Sequence, residues 1–361
     1  DLFAGAGGLG VGAFQAGAEV VASVELDSVA CETLRANKSI HGQVVESDVS
    51  LLSGEDVLAM ADLAKGERLI VVGGPPCQPF SKAAYWTDDG SDAAYRRARA
   101  NGLTVEKPTA KKVAKKDARR DLVKEYWRIV QETGADGFVF ENVPSIKHPR
   151  NRAVYDALVR SAKKGGYLVT ELTIKATEYG VAQARERVVL LGSKVDQPLV
   201  PPITHSADAS LGLPPLVTAG EALEPFKGDE FFEPEELVEG RWAQHLREVP
   251  PGWNYKAHTA WAGHPNPTFV TETRFWNFLL KLSPDRPSWT IAANPGPWIG
   301  PFHWTSRRLR TVELAALQGF PLGYVIAGKK RDRVKQMGNP VPVPVARAMV
   351  LSVMKTLGKN K

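Results

Sequence analysis

The chain has 361 residues, 43% hydrophobic and 24% charged, which excludes a collagen-like, coiled-coil or wholly disordered polypeptide. No window approaches the roughly 20 consecutive apolar residues of a membrane span, and the opening Asp1-Leu2-Phe3 shows no leader pattern. Two cysteines, Cys31 and Cys77, exclude a disulfide framework or a cysteine zinc cluster and point to a reducing compartment. The net charge of +6 is local: residues 82–124 hold twelve Lys and Arg against six Asp and Glu, and the remainder balances at 34 against 34. A basic strip on a neutral body fits a face for a polyanion such as nucleic acid, and equally a solvated lysine-rich helix.

In chain order, apolar runs rich in β-branched residues predict strands at 19–24, 69–73, 137–140 and 187–192. A further strand is expected to end at Asp48. Helical patterns lie between them at 28–37, 111–131 and 151–164. This alternation predicts an α/β fold with a doubly wound, mostly parallel sheet over residues 1–195. The first strand, leading into Gly5-Ala6-Gly7-Gly8, would need residues ahead of Asp1 or else be short. Residues 196–305 hold 16 of the 26 prolines and seven of the nine tryptophans, so this segment reads as a smaller, irregular, β-leaning lobe. Helical texture returns at 311–318 and 342–357, so 306–361 is expected to rejoin the first domain.

Four segments carry chemistry. Asp1–Gly10 is a glycine-rich turn between strand and helix, where the backbone approaches a ligand closely and amides are free to bind it. Glu25 at the end of the next strand suits the hydroxyls of a ribose, and Asp48 an adenine amino group. Gly73-Gly74-Pro75-Pro76-Cys77-Gln78-Pro79-Phe80-Ser81 places a cysteine in a stiff loop at the carboxyl edge of the sheet; the plain alternative is a small buried cysteine. Phe140-Glu141-Asn142-Val143-Pro144 puts a carboxylic acid at that same edge, where partial burial would raise its pKa, or simply makes a turn. In Gln183-Ala184-Arg185-Glu186-Arg187, two arginines at i and i+2 point one way on an extended chain. They suit an anion or a carbonyl oxygen, or form a surface ion pair with Glu186.

These motifs, followed by Leu317-Gln318-Gly319-Phe320-Pro321 and Gly338-Asn339-Pro340-Val341, occur in an order that resembles the DNA (cytosine-5)-methyltransferase family nearly end to end. The resemblance implies a Rossmann-like methyltransferase sheet over 1–195 and 306–361, with 196–305 as a target-recognition domain. It implies S-adenosylmethionine as methyl donor, leaving S-adenosylhomocysteine, with no metal. Phe3, Ala4, Gly5, Gly7, Gly8, Glu25, Leu26, Asp48, Val49, Pro76, Leu122, Asn339 and Val341 would line the cofactor site. Cys77 would add to C6 of a flipped cytosine, Glu141 would hold or protonate N3, and Arg187 with Arg185 would bind O2. Gln78, Ser81, Lys82, Arg241 and Arg274 are expected at the DNA, with Gln244, Asn254, Lys256 and Asn277 as further candidates for groove contact.

The implied partners are double-stranded DNA and a restriction endonuclease of the same site. A monomer, with no membrane association, is expected inside a bacterial cell, in the cytoplasm with the chromosomal DNA. The loop from Cys77 to Leu122 is longer and more basic than is usual for the family. Rival readings are a tRNA methyltransferase on the same scaffold, a catalytically dead DNA-binding homologue, and a nicotinamide dehydrogenase, which shares the glycine turn but has no use for the Pro-Cys-Gln loop.

Overall fold

The computed structural model describes residues 1–63, 67–81, 94–95, 98, 103–106, 117–269 and 276–358. The chain divides into two compact units, one of Asp1–Ile174, Glu186–Pro202 and Ala346–Lys361, the other of Lys175–Arg185 and Ile203–Val345. The second unit thus takes the 196–305 segment only from 203, adds 175–185 from before it, and continues past it to Val345.

In the first unit, β1 (Ala22–Glu25) runs parallel to β2 (Gln43–Glu46), and β3 (Ile70–Gly73) runs parallel to β4 (Gly137–Asn142). Leu2 bridges Val24 and Gly73, so the two ladders join through a very short central strand. β4 then pairs with β6 (Glu186–Ser193) in the antiparallel sense, and β5 (Leu168–Lys175) lies on the far side of β6. Every residue of β4 is buried, as is β6 beyond Glu186, which explains why both read as continuous apolar runs.

Helix Leu122–Glu132 covers this sheet with Val123, Tyr126, Trp127, Ile129 and Val130. Its Tyr126 hydroxyl donates to the Val139 carbonyl at 2.9 Å, tying helix to strand. The sequence placed the start of this helix at 111. It begins at Leu122 instead, because the apolar period begins only at Val123; Ala118–Arg120 is a 3-10 turn capped by Asp117, and residues 111–116 lie outside the described ones. The other expected helices form at Ser28–Ala36, Arg152–Lys164, Thr311–Ala316 and Val343–Leu357.

The second unit is built from short helices and 3-10 turns. Among its described residues, β structure is confined to isolated bridges such as Thr259–Phe269 and Phe278–Ile299. Prolines donate no backbone hydrogen bond, so a segment this rich in them does not sustain a ladder. A small core of Leu246, Val249, Tyr255, Leu279 and Phe302 forms instead, with Trp242 and Trp298 packed against it. Trp253, Trp261, Trp276 and Trp289 are not core residues: each is more than 40% exposed.

Candidate active site at the strand ends

Parallel strands deliver their carboxyl ends to one edge, and the candidate residues of the first unit collect there. The glycine turn comes first. Phe3, Gly5 and Gly7 have φ of +57°, +54° and +83°, so the chain reverses in left-handed steps before helix Gly8–Gln15. Phe3 adopts this conformation without a glycine's freedom, a strained position that the surrounding fold imposes. A Cβ on Gly5 would meet nothing within 4 Å, so this face of the turn is open. Ala4, Gly7 and Gly8 are buried behind it.

Glu25 ends β1 and faces the turn. Its carboxylate accepts from the amides of Gly5 at 2.7 Å, Leu26 at 2.9 Å and Asp27 at 2.8 Å. Charge-assisted bonds of this kind fix the group in place. The neighbouring Leu26 is an apolar side chain left exposed. Asp48 accepts from the amide and hydroxyl of Ser50 and so starts the turn Val49–Leu51. The Val49 side chain belongs to the hydrophobic core, and its carbonyl accepts from Arg128 at 3.2 Å. Leu122 and Pro76 are half-buried.

Cys77 stands four residues beyond β3, at the start of the 3-10 turn Gln78–Phe80, and is partly accessible. Three side chains hold this loop by its carbonyls. Asn142 donates to Pro75 at 3.0 Å, Arg120 to Pro79 at 3.2 Å, and Asn151 to Phe80 at 3.4 Å. The Arg120 guanidinium also lies 4.8 Å from the centre of the buried Phe80 ring. Of these anchors the sequence singled out only the Glu141-Asn142 pair. Asn151 gave no signal, because burial of a polar side chain is a tertiary property. Cys31 is the opposite case: it is buried, its Sγ contacts the Glu25 carbonyl, and burial pushes its thiol up to about 11.

Glu141 and Arg187 meet because β6 is antiparallel. Glu141 lies opposite Val189, so Arg187, two residues earlier on β6, is its diagonal neighbour on the same face. The Arg187 Nε lies 2.5 Å from a Glu141 carboxylate oxygen, and both side chains are about nine-tenths buried. Gly74 completes the corner: a Cβ there would stand 3.0 Å from the other Glu141 oxygen, so the backbone after β3 passes directly over the acid. Thiol loop, carboxylate and guanidinium thus share one strand-end corner.

Arg185 behaves differently from Arg187. It precedes the ladder, where the period-two rule no longer applies, and within the second unit its guanidinium donates to the carbonyls of Gly338 at 2.9 Å and Asn339 at 3.0 Å. The Asn339 side chain is exposed and Val341 is buried. Of the residues expected at DNA, Gln78 is exposed and Ser81 half-buried, with its hydroxyl on the Gln78 carbonyl. Arg241 is exposed, its guanidinium 4.5 Å from the centre of the Trp242 ring. Lys82, Arg274 and most of the basic strip lie outside the described residues. No described helix is long and apolar enough to cross a membrane.

Comparison with known proteins identifies the family. Residues 1–355 match the profile of the C-5 cytosine-specific DNA methylases. Type II methyltransferase M.SacI of Streptomyces achromogenes is 34% identical, over 99% of this chain and 93% of its own length. M1.HphI of Haemophilus parahaemolyticus is 28% identical, over 98% and 86%. A DNA modification methyltransferase encoded in an E. coli prophage shares the fold, with a TM-score of 0.67 at 21% identity over 99% of both chains. The Dnmt2 methyltransferase of S. pombe shares it at 0.57 and 14%, over 99% of this chain and 98% of its own. A profile match over nearly the whole length, on a sheet that ends in a cysteine loop, a buried glutamate and an arginine, settles the family: the chain belongs to the C-5 cytosine-specific DNA methylases and is an S-adenosylmethionine-dependent DNA (cytosine-5)-methyltransferase.

Proposed function

We propose the following division of labour among the residues of this methyltransferase. The glycine turn and Glu25 hold S-adenosylmethionine, which when bound supplies an electrophilic methyl group. The fit is physical: Gly5 opens onto free space, the Glu25 carboxylate is fixed beside it, and Leu26 offers an uncovered apolar surface for a flat ring. Glu25 would take the ribose hydroxyls and Asp48, with the backbone of Val49, the adenine edge. Phe3, Ala4, Gly7, Gly8, Pro76 and Leu122 shape the remainder.

Cys77 is the nucleophile. Its thiolate forms a bond to C6 of the cytosine, and the ring electrons move to C5, which becomes nucleophilic enough to be methylated. Glu141 carries the proton that N3 takes up as C6 is attacked, and Arg187 binds O2, so the charge that develops on the ring is met on two sides. Loss of the C5 proton then expels Cys77 and restores the aromatic ring. No step of this chemistry calls for a metal. The base has to leave the duplex for C6 to be approached from above its plane. Arg185 acts as a positioning residue for the segment carrying Asn339.

The reading rests on one observation above the others: the Glu141–Arg187 pair beneath Gly74, at the edge where the Cys77 loop begins. Transfer of labelled methyl from S-adenosylmethionine to DNA tests it. Cys77→Ser should abolish transfer while leaving DNA and cofactor affinity intact. Transfer within tenfold of the parent would sink the covalent route.

The second unit, including 203–305 of the lobe segment, would read the target sequence in duplex DNA, with Arg241, Gln244, Asn254, Lys256 and Asn277 as its candidate side chains. Bisulfite sequencing of DNA from a host expressing the chain identifies that sequence. The relatives' type II names support a modification enzyme working with a restriction endonuclease of the same site. A monomer acting inside the cell on chromosomal DNA completes the proposal.

A further inference from the structure

The exclusion of a cysteine cluster leaves histidine and carboxylate ligands untouched. Among the described residues, Glu248, His258 and His264 bring ligand atoms within 4.8 Å of one another, all inside the second unit. The chain builds this cluster deliberately. Glu248 ends helix Ala243–Glu248. His258 and His264 face each other across a closed loop: the His264 amide donates to the Thr259 carbonyl at 3.2 Å after Gly263 turns at φ +76°, and the amides of Thr268 and Phe269 return to the His258 carbonyl. The two imidazole centres lie 5.2 Å apart.

Three details distinguish this from a chance grouping. His258 is 1% exposed, and its Nδ1 is buried with no hydrogen-bond partner. The Glu248 Oε2 lies 3.8 Å from that nitrogen, too far for a hydrogen bond. It is close to the roughly 3.4 Å between ligand atoms that tetrahedral bonds of about 2.1 Å impose. The outer groups are also in place. The other His258 nitrogen, Nε2, lies 2.8 Å from the His245 carbonyl, which fixes its proton there and leaves the Nδ1 lone pair pointing inward. Glu248 Oε1 accepts from the Gln244 side chain at 2.7 Å, leaving Oε2 for the cluster. Metal-bound imidazoles and carboxylates are oriented by such second partners.

We propose that Glu248, His258 and His264 bind a divalent ion of the zinc class, with water completing the coordination. Two imidazoles and one carboxylate suit zinc or cobalt rather than magnesium or calcium. His264 supplies one ring nitrogen; its Nδ1 accepts from the Asn266 amide at 3.2 Å, a contact on an exposed turn that ligation replaces. The ion would staple the end of helix Ala243–Glu248 to the 255–269 loop, both of which pack on the small core of this unit. It is a structural site and takes no part in methyl transfer.

The test uses the full chain without a histidine tag, stripped by chelator and titrated with cobalt(II). One ion per chain with visible d–d absorption, displaced by zinc, and a thermal midpoint raised by zinc are expected. His264→Ala and Glu248→Gln lie toward the surface and should fold; each should weaken cobalt affinity at least about tenfold, and Gln244→Ala should weaken it less. His258→Asn should abolish binding, and the two rim variants decide the matter if it does not fold. No binding at stoichiometric cobalt, or parent-like affinity in both rim variants, overturns the proposal.

Discussion

The two units solve the problem of buried polar groups in opposite ways. In the first, ladders satisfy the backbone, the interior of β4 and β6 is apolar, and the charged pair Glu141–Arg187 appears where the strands stop. In the second, turns leave carbonyls inward and cations are buried to meet them. Arg310 donates to the carbonyls of Phe226 and Gly228 while pairing with Glu236, and all of these lie more than 70 residues away in sequence. Arg307 pairs with Glu313 at 2.6 Å, and the Lys281 ammonium sits on the carbonyls of Arg247 and Val249. Where the described residues form no ladder, specific charge contacts hold this unit, most of them between distant segments, and each becomes costly to remove once its partner is buried.

This contrast sets the experiments. The largest effect belongs to the pair of cysteines: Cys77→Ser should lower methyl transfer by at least about a thousandfold, whereas Cys31→Ser should leave the rate within a few-fold and act on stability alone. Equal losses in both would break the assignment of the strand edge as the reacting site. Next, Arg310→Met should destabilise the second unit by about 3–5 kcal/mol in denaturant unfolding, because buried Glu236 keeps only Arg307 at 3.8 Å and the Phe226 and Gly228 carbonyls lose their donor. A cost below about 1 kcal/mol would mean that buried charge does not hold this unit together. Phe138→Ala, in the apolar interior of the first unit, should cost a similar 3–5 kcal/mol through a cavity.

A smaller effect is set by pH. Burial, with Arg307 and Arg310 close by, holds His303 down at about 3 from the usual 6.5. Its Nδ1 accepts from the Thr305 amide, as a neutral ring does. The unfolded chain takes up this proton as pH falls below 6.5 and the folded chain does not, so stability is full above that pH and declines toward pH 3. At pH 5 the loss from this group should be about 1–2 kcal/mol, and His303→Gln should flatten that part of the profile. The smallest expected change is Tyr126→Phe, about 1 kcal/mol, from the hydroxyl that ties its helix to the Val139 carbonyl.

Much of the first unit was legible because its geometry is periodic. Runs at 69–73 and 137–140 had to be strands, and parallel strands bring Cys77 and Glu141 to one edge. The element Leu168–Lys175 was missed, since it alternates between buried and exposed positions and reads as an ordinary polar segment. Helix Gly54–Ala61 was missed as well, although Ser53 and Asp56 form the capping box that could have revealed it. The divergence of Arg185 from Arg187 was invisible, because it depends on where the β6 ladder begins. In the second unit, the partners of Arg310 and Lys281 are turn carbonyls, and no spacing along the chain specifies them. The cluster of Glu248, His258 and His264 was overlooked for a related reason, since its members are joined by a loop closure rather than by a recognisable interval.

The antiparallel pairing of β4 with β6 also sets which parts of the chain tolerate a change of length. Glu141 and Arg187 keep their diagonal through the ladder, not through the 143–185 connection between them. That connection is free to gain or lose residues in its loops. One residue inserted in β6 between Arg187 and Val189 would shift the pairing by a single step and turn Arg187 to the opposite face, away from Glu141. A library of single-residue insertions across this region should therefore show a narrow intolerant window over the two strands, set within a permissive stretch.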